Sequence, residues 1–180
     1  MAKTYTAAST VSAGNVYTAA AHNIIVTDTN NLIVPATVRA RLTGGKALTS
    51  GNAVPWDAIS APGWDTDSMW SAGAPTRLTV TTPGVYLVSC NILTQVTVAN
   101  STSQTLTLRY ANPGTQIFAE FTNPDTVAIN GFPTMNVTTL INATTSGDYF
   151  EALYSFTGGT HTALNDNRNS FSAVWVGRTS

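Results

Sequence analysis

Apolar and polar residues alternate with a period of two over most of the chain from residue 36 onward. This alternation is typical of half-buried β-strands, and the segments that carry it are rich in threonine, valine and isoleucine, which favour strands. Glycine and proline separate these segments at short intervals. The strands predicted in this way are 36–42, 77–81, 85–98, 105–110, 116–121, 133–143, 149–156 and 171–176. Many short strands with regular turn signals predict an all-β fold, a β-sandwich or jelly roll.

The segment 85–98 differs from the others because it is apolar on both of its faces. One face carries Tyr86, Val88, Cys90 and Ile92, and the other carries Val85, Leu87 and Leu93. This two-faced pattern is typical of a central strand that is covered on both sides.

The first 35 residues lack the alternation. Thr18 is suited to cap a short helix that places Ile25 and Leu32 near one face. The β-branched residues 24–27 disfavour that helix, and Pro35 ends it before the first strand. We therefore predict an N-terminal arm, extended or partly helical, over residues 1–35 and a jelly-roll domain over residues 36–180.

The chain carries few charges and almost no net charge. Charged residues make up 9% of the chain, against about 25% in a typical soluble domain. The net charge is −1, which argues against nucleic acid or an anionic membrane as a partner. No apolar stretch has the length needed to span a bilayer, so we expect no membrane insertion. The single cysteine, Cys90, excludes an intrachain disulfide framework and is expected to be a buried, inert thiol.

The sequence offers little material for catalysis or for metal binding. His22 and His161 have no associated nucleophile motif, and Glu120 and Glu151 lie in predicted strands as ordinary polar positions. Residues 65–67 and 165–167 place oxygen-bearing side chains at alternating positions, as calcium sites do, but each has too few ligands and reads as a turn. We predict that the protein is not an enzyme, holds no metal and needs no cofactor.

Three tryptophans form the most conspicuous local feature. Trp56, Trp64 and Trp70 lie within fifteen residues, in a stretch rich in proline and glycine. Exposed aromatic side chains on loops are suited to contact sugar or protein surfaces. The alternative, which the sequence favours, is that they pack over the open end of the sandwich or between protomers. The candidate receptor-contact residues are Trp56, Trp64, Trp70, Asn165, Asp166 and Arg168, and the candidates for core or trimer interface are Tyr86, Tyr149, Phe171 and Trp175.

Three segments of the body resemble the C1q/TNF-like jelly roll. Residues 82–88, Thr-Pro-Gly-Val-Tyr-Leu-Val, resemble the family's Gly-x-Tyr strand start. Residues 147–150, Gly-Asp-Tyr-Phe, resemble its Gly-Asp strand start, and residues 169–175 resemble its C-terminal Phe-Ser-Gly strand, with Ala173 in place of the usual glycine. The resemblance implies a jelly roll that assembles as a homotrimer, with aromatic and aliphatic faces buried between protomers.

Two further segments resemble structural proteins of tailed bacteriophages. The arm has Thr-Ala-Ala-Ala-His-Asn at residues 18–23, followed by Asp28, Asn31 and Leu32. The body has Asp-Thr-Asp-Ser-Met at residues 65–69, followed by Arg-Leu-Thr-Val at residues 77–80. The resemblance implies a virion protein whose arm attaches to the particle. The residues that would carry this attachment are Thr18, Asn23, Ile25, Asp28 and Leu32.

These observations together predict a non-enzymatic virion protein that binds copies of itself and other capsid or tail proteins. As a tail fibre or minor tail protein, it would also contact a glycan or protein of the host surface. A capsid decoration or head-fibre protein that stabilises the shell is the alternative, and a secreted lectin-like binding module is a further one. Outer strand faces made of threonine, serine, asparagine and alanine lose their water at low cost, which independently favours self-association.

Overall fold

The computed structural model describes residues 23, 29, 34–60, 64–97, 103–111, 115–123 and 131–177, and for 115–123 the backbone alone. Its strands are antiparallel and form two sheets. The strands are β1 (Thr37–Arg41), β2 (Lys46–Ala47), β3 (Asn52–Ala53), β4 (Ala58–Ile59), β5 (Arg77–Thr79), β6 (Gly84–Thr97), β7 (Gln104–Ala111), β8 (Thr115–Asn123), β9 (Thr134–Ala143), β10 (Tyr149–Phe156), β11 (Thr160–Ala163) and β12 (Ser170–Gly177).

The first sheet is organised around the long strand β6. On one side β6 pairs with β9 over ten residues, from Gly84 to Leu93. On its other side β6 pairs first with β12 and then, over Thr94–Thr97, with β11. Strands β1 and β4 continue the sheet beyond β12, and β2 continues it beyond β11. Strand β6 is therefore central, as its two-faced apolar pattern predicts.

The second sheet has the order β3-β10-β7-β8, and β5 also pairs with β10. Strands β7 and β8 are consecutive in the chain and pair with each other, in the places where the sequence predicts strands at 105–110 and 116–121. Consecutive strands change sheets repeatedly along the chain. The result is a β-sandwich, which confirms the predicted all-β fold.

The core lies between the sheets and consists of the inward-facing residues of the alternating strands. Tyr86 on β6 packs against Phe150 on β10 with ring centroids 5.4 Å apart, so aromatic contacts join the two sheets. Cys90 is fully buried in this core, and burial raises the pKa of its thiol. It is therefore an apolar packing residue rather than a reactive thiolate, as expected.

Gly84 at the start of β6 is fixed by packing. A Cβ atom at this position would lie 2.0 Å from Nε1 of Trp175 and 2.6 Å from the carbonyl oxygen of Gly177. The Trp175 indole N–H instead donates to the carbonyl of Pro83 at 3.3 Å. The Gly-x-Tyr strand start therefore has a physical reason: it lets the last strand close onto the beginning of β6.

The Asp-Thr-Asp segment at residues 65–67 is a structural turn. The Asp65 carboxylate accepts the backbone N–H groups of Met69 and Trp70 at 2.8 and 3.1 Å. The buried Asp67 carboxylate accepts the hydroxyl of Thr82 at 2.7 Å and that of Thr81. Both carboxylates accept hydrogen bonds that hold the chain before β5, although Oδ1 of Asp67 is buried without a partner among the described residues.

Candidate functional site

The outer face of the first sheet is uncharged over β6, β9 and β12. The outward-facing residues of β6, β9 and β12 alternate with the buried ones and include serine, threonine and asparagine. Ser89 and Thr138 face each other across β6 and β9, with their hydroxyl oxygens 2.8 Å apart. No outward-facing side chain of these three described strands carries a charge.

A group of aliphatic side chains lies on this same face. Leu87 on β6 is directly opposite Leu140 on β9 and Val174 on β12. Val85 and Val176 lie beside them, near the start of β6. We call Val85, Leu87, Leu140, Val174 and Val176 the outer patch. Leu87, Leu140 and Val176 are 41%, 58% and 52% exposed, which is unusual for large apolar side chains grouped together.

The predicted core or interface aromatics occupy other positions. Tyr86, Phe171 and Trp175 are buried between the sheets, so their role in this chain is in the core. Tyr149 lies on β10 of the second sheet, half-buried, with the Arg77 guanidinium 4.9 Å from its ring centre. The outer patch, rather than these aromatics, is the surface available for a second copy.

The three neighbouring tryptophans separate into different environments. Trp56 is fully buried and packs against Phe171 with ring centroids 5.8 Å apart, so the prediction that it is an exposed aromatic contact for a receptor is wrong. Trp64 is 44% exposed, and the Arg39 guanidinium lies 5.5 Å from its ring centre. Trp70 is half-buried against the edge of the core. Packing at the end of the sandwich therefore accounts for Trp56 but not for Trp64.

A small pocket lies beside Trp56 and Trp70. Its volume is about 190 Å³. The residues that line it are Lys46, Pro55, Trp56, Asp57, Trp70, Ala72 and Pro75. The Lys46 ammonium and the Asp57 carboxylate form an ion pair at 3.4 Å on this lining.

The second candidate receptor loop, residues 164–169, is held by its own side chains. Asp166 accepts the backbone N–H and the guanidinium of Arg168, each at 2.8 Å, and these bonds hold the pKa of Asp166 at about 2. Asn169 is fully buried, and its amide bonds to the backbone of Leu93 and to the carbonyl of Leu164. Asn165 and Arg168 are exposed at the tip of this rigid loop.

Tyr154, His161 and Gln104 form a buried polar cluster. The hydroxyl of Tyr154 lies 2.9 Å from Nδ1 of His161 and donates to Gln104 at 3.0 Å, inside the core. Burial lowers the pKa of His161, against a smaller opposing effect of a hydrogen bond with the Gly158 backbone. Burial also raises the pKa of Tyr154 to about 12. Both groups are neutral near pH 7 and are enclosed rather than open to a substrate.

The described residues contain no group of three or more histidine, cysteine, aspartate or glutamate side chains that could hold a metal ion. Within the part of the chain that the structure covers, no helix has the length and apolar character to cross a membrane. Of the predicted attachment residues, Asn23 is exposed, and Thr18, Ile25, Asp28 and Leu32 lie outside the described residues.

Known proteins resemble this chain in fold but not in sequence. No family model and no curated protein matches the chain. Among solved structures, the chain is similar to the Eiger TNF of S. frugiperda, with a TM-score of 0.64 and 15% identity over 80% of this chain and 94% of that one. It is also similar to the globular domain of the zebrafish complement 1qA protein, with a TM-score of 0.57 and 10% identity over 80% of this chain and 99% of that one. The fold is a C1q/TNF-like jelly roll.

Within this jelly roll, sequence reasoning missed Leu140 and Val176 of the outer patch and the Lys46–Asp57 pair of the pocket. The signal for the outer patch was present, because the second apolar face of residues 85–98 contains Leu87 and needs a cover. The pocket had no comparable signal. Lys46 and Asp57 are ordinary charged positions in the sequence until the fold brings them together.

Proposed function

We propose that this chain is a non-enzymatic virion protein of a tailed bacteriophage. It is attached to the particle through residues 1–35 and exposes a trimeric jelly roll as a tail fibre or minor tail protein that contacts the host surface. The outer patch is the observation that carries the self-association. The resemblance of residues 18–32 and 65–80 to tailed-phage structural proteins supports the attachment to a virion.

The exposed aliphatic side chains of the outer patch favour self-association. Three large side chains of the outer patch are about half exposed in the single chain, so covering them with a second copy is favourable. The surrounding serine, threonine and asparagine side chains lose water at lower cost than charged ones would. The same surface is present on every copy, and homo-oligomers with closed symmetry are the common outcome of such contacts. Three copies are what the C1q/TNF resemblance implies.

The described side chains that could act in catalysis lie in the core or are paired with a charged partner. Cys90, His161 and Tyr154 are enclosed in the core, and Glu151 is paired with Arg109 across β10 and β7, with its Oε2 2.9 Å from Nε of the arginine. A general acid or base must reach the substrate directly or through one water. Tyr154 instead bonds to Nδ1 of His161, Glu151 bonds to Arg109 and Cys90 is enclosed, which fits a binding or structural role.

The test is the location and number of copies in phage particles. Particles purified by density gradient from a culture producing the chain are digested and analysed by quantitative mass spectrometry, and intact particles are labelled with gold-conjugated antibody. We expect a small number of copies per particle and labelling confined to the tail. Hundreds of copies with labelling over the head would favour capsid decoration. Absence from the particles would overturn the proposal.

A further inference from the structure

The pocket beside Trp56 and Trp70 lies where the chain crosses from the second sheet to the first. Residues 54–57 connect β3, which pairs with β10, to β4, which pairs with β1. Lys46 comes from β2, and Ala72 and Pro75 come from the loop before β5. The pocket is therefore on the edge strands of the sandwich, whereas Leu87 and Leu140 of the outer patch lie on β6 and β9.

The aromatic lining is held rigidly. The backbone N–H of Trp56 donates to the carbonyl of Pro75 at 3.0 Å, and the backbone N–H of Trp70 donates to Asp65. Trp56 also packs against Phe171 in the core. A site of this kind is pre-organised, so little ordering cost opposes the binding of a small ligand.

The polar part of the lining is one matched pair. The Lys46 ammonium and the Asp57 carboxylate lie 3.4 Å apart, and both are partly exposed. The other carboxylate oxygen of Asp57 accepts the backbone N–H of Thr43 at 2.7 Å and its hydroxyl at 3.0 Å, which fixes the carboxylate in place. The pair offers one donor and one acceptor side by side, and its net charge is zero.

The indole N–H groups of Trp56 and Trp70 are buried and have no acceptor among the described residues. A buried unpaired donor is costly, so a small shift that lets either group reach an acceptor oxygen is favourable. A ligand that carries oxygen atoms as well as an apolar face would supply such an acceptor.

We infer that this pocket is a subsite for one neutral pyranose ring of a glycan. The volume of about 190 Å³ is below the 300–1,000 Å³ of typical drug-sized sites, so it suits a single ring rather than an extended ligand. The C–H face of a pyranose carries partial positive charge and matches the negative face of the half-buried Trp70 indole, whereas Trp56 is fully buried and forms the floor behind it. Adjacent hydroxyls both donate and accept, as the Lys46–Asp57 pair requires. The zero net charge of the pair disfavours acidic sugars.

The inference deepens the proposed function, because it names the class of host-surface molecule that the appendage would contact. It is tested on the full chain labelled with ¹⁵N, by following the four tryptophan indole N–H signals during titration with glucose, galactose, mannose, N-acetylglucosamine and glucuronic acid. At least one neutral sugar should shift the Trp56 and Trp70 signals and leave that of Trp64 unchanged. The dissociation constant should be in the millimolar range, as expected for a ligand with so few atoms.

Variants identify the site. Trp70→Ala and Lys46→Met should each weaken binding at least tenfold, and Ala72→Arg, which places a large side chain at the exposed rim, should abolish it. Trp64→Ala is the matched control, because it removes an exposed tryptophan that does not line the pocket, and it should bind normally. If Trp70→Ala does not fold, Lys46→Met and Ala72→Arg alone decide the question, since both residues are at the surface.

Several results would overturn the inference. The inference is wrong if no neutral sugar shifts the indole signals, or if a proline-rich peptide shifts them and none of the sugars does. It is also wrong if glucuronic acid binds more tightly than every neutral sugar, or if Trp64→Ala loses as much binding as the pocket variants. The proposed function fails separately, through absence of the chain from virions. Sugar binding by a chain that is absent from virions would leave the pocket assignment standing without the phage role.

Discussion

Replacing Leu140 by lysine should separate the assembly into monomers that remain folded. Leu140 is 58% exposed, and its cross-strand neighbour Leu87 is 41% exposed. Neither side chain contributes much to the core of the single chain, so the fold should tolerate the change. Their contribution is expected in the contact between copies.

The size of the effect follows from these exposed fractions. Burying one whole leucine side chain contributes about 1.5–3 kcal/mol, and the exposed parts of Leu87 and Leu140 together amount to about one such side chain. Three copies in a ring would therefore gain about 5–9 kcal/mol from this pair. A free-energy change of 1.4 kcal/mol corresponds to a tenfold change in an equilibrium constant. Even the lower value therefore raises the association constant of the three copies roughly a thousandfold or more. A buried lysine adds a desolvation cost of several kcal/mol.

The assay is sedimentation velocity at several concentrations, with circular dichroism and urea unfolding to verify the fold. Gln95→Lys is the matched control, because it places the same charge on an exposed, outward-facing position of the strand that carries Leu87, about 27 Å away from it. We expect Leu140→Lys to sediment as a folded monomer and Gln95→Lys to behave as the unmodified protein. An unchanged assembly in Leu140→Lys, or equal dissociation of the control, would refute the role given to the outer patch.

Three further predictions concern the fold and are measured by urea unfolding. Gly84→Ala should destabilise by about 1–3 kcal/mol, because its Cβ would overlap Trp175, and Gly84→Ser should be no better. Asn169→Ala should lower the free energy of unfolding by about 2–3 kcal/mol, because it leaves the backbone N–H and carbonyl of Leu93 without their partner. A decrease below about 0.5 kcal/mol would contradict this. Burial lowers the pKa of His161, so the folded protein holds this side chain neutral. The free energy of unfolding should therefore be highest above pH ~6.5 and should decrease below that pH by at most ~1.4 kcal/mol per pH unit. A free energy of unfolding that stays constant from about pH 7.5 to 5 would contradict this.

The long strands could be predicted from the sequence because each buries one face. Residues 149–156 form β10 as predicted, and the alternation of residues 85–98 matches β6 to within a residue at each end. The two-residue strands β2, β3 and β4 could not be predicted, because two residues show no period and their pairing partners are far along the chain. Strand β11 was not predicted for a similar reason: its four residues are too few to show a clear alternation. They also follow two glycines, and one of the two inward-facing side chains is the polar His161.

The candidate sites were predictable only in part. The sequence showed that residues 85–98 have a second apolar face, but it could not show that Leu140 lies opposite Leu87, because that depends on the register of β6 and β9. It pointed to the tryptophan cluster, but it could not distinguish the buried Trp56 from the exposed Trp64. Isolated charged residues such as Lys46 and Asp57 carry no periodic signal, so their pairing emerges only from the fold.

The mass of the unmodified protein in solution tests the central claim most directly. The claim is that the uncharged, aliphatic outer face of the first sheet joins copies of this chain into a trimer. Light scattering coupled to size exclusion should give three times 18.9 kDa, about 57 kDa, at micromolar concentration. A single species of 18.9 kDa that persists when the concentration is raised would contradict it.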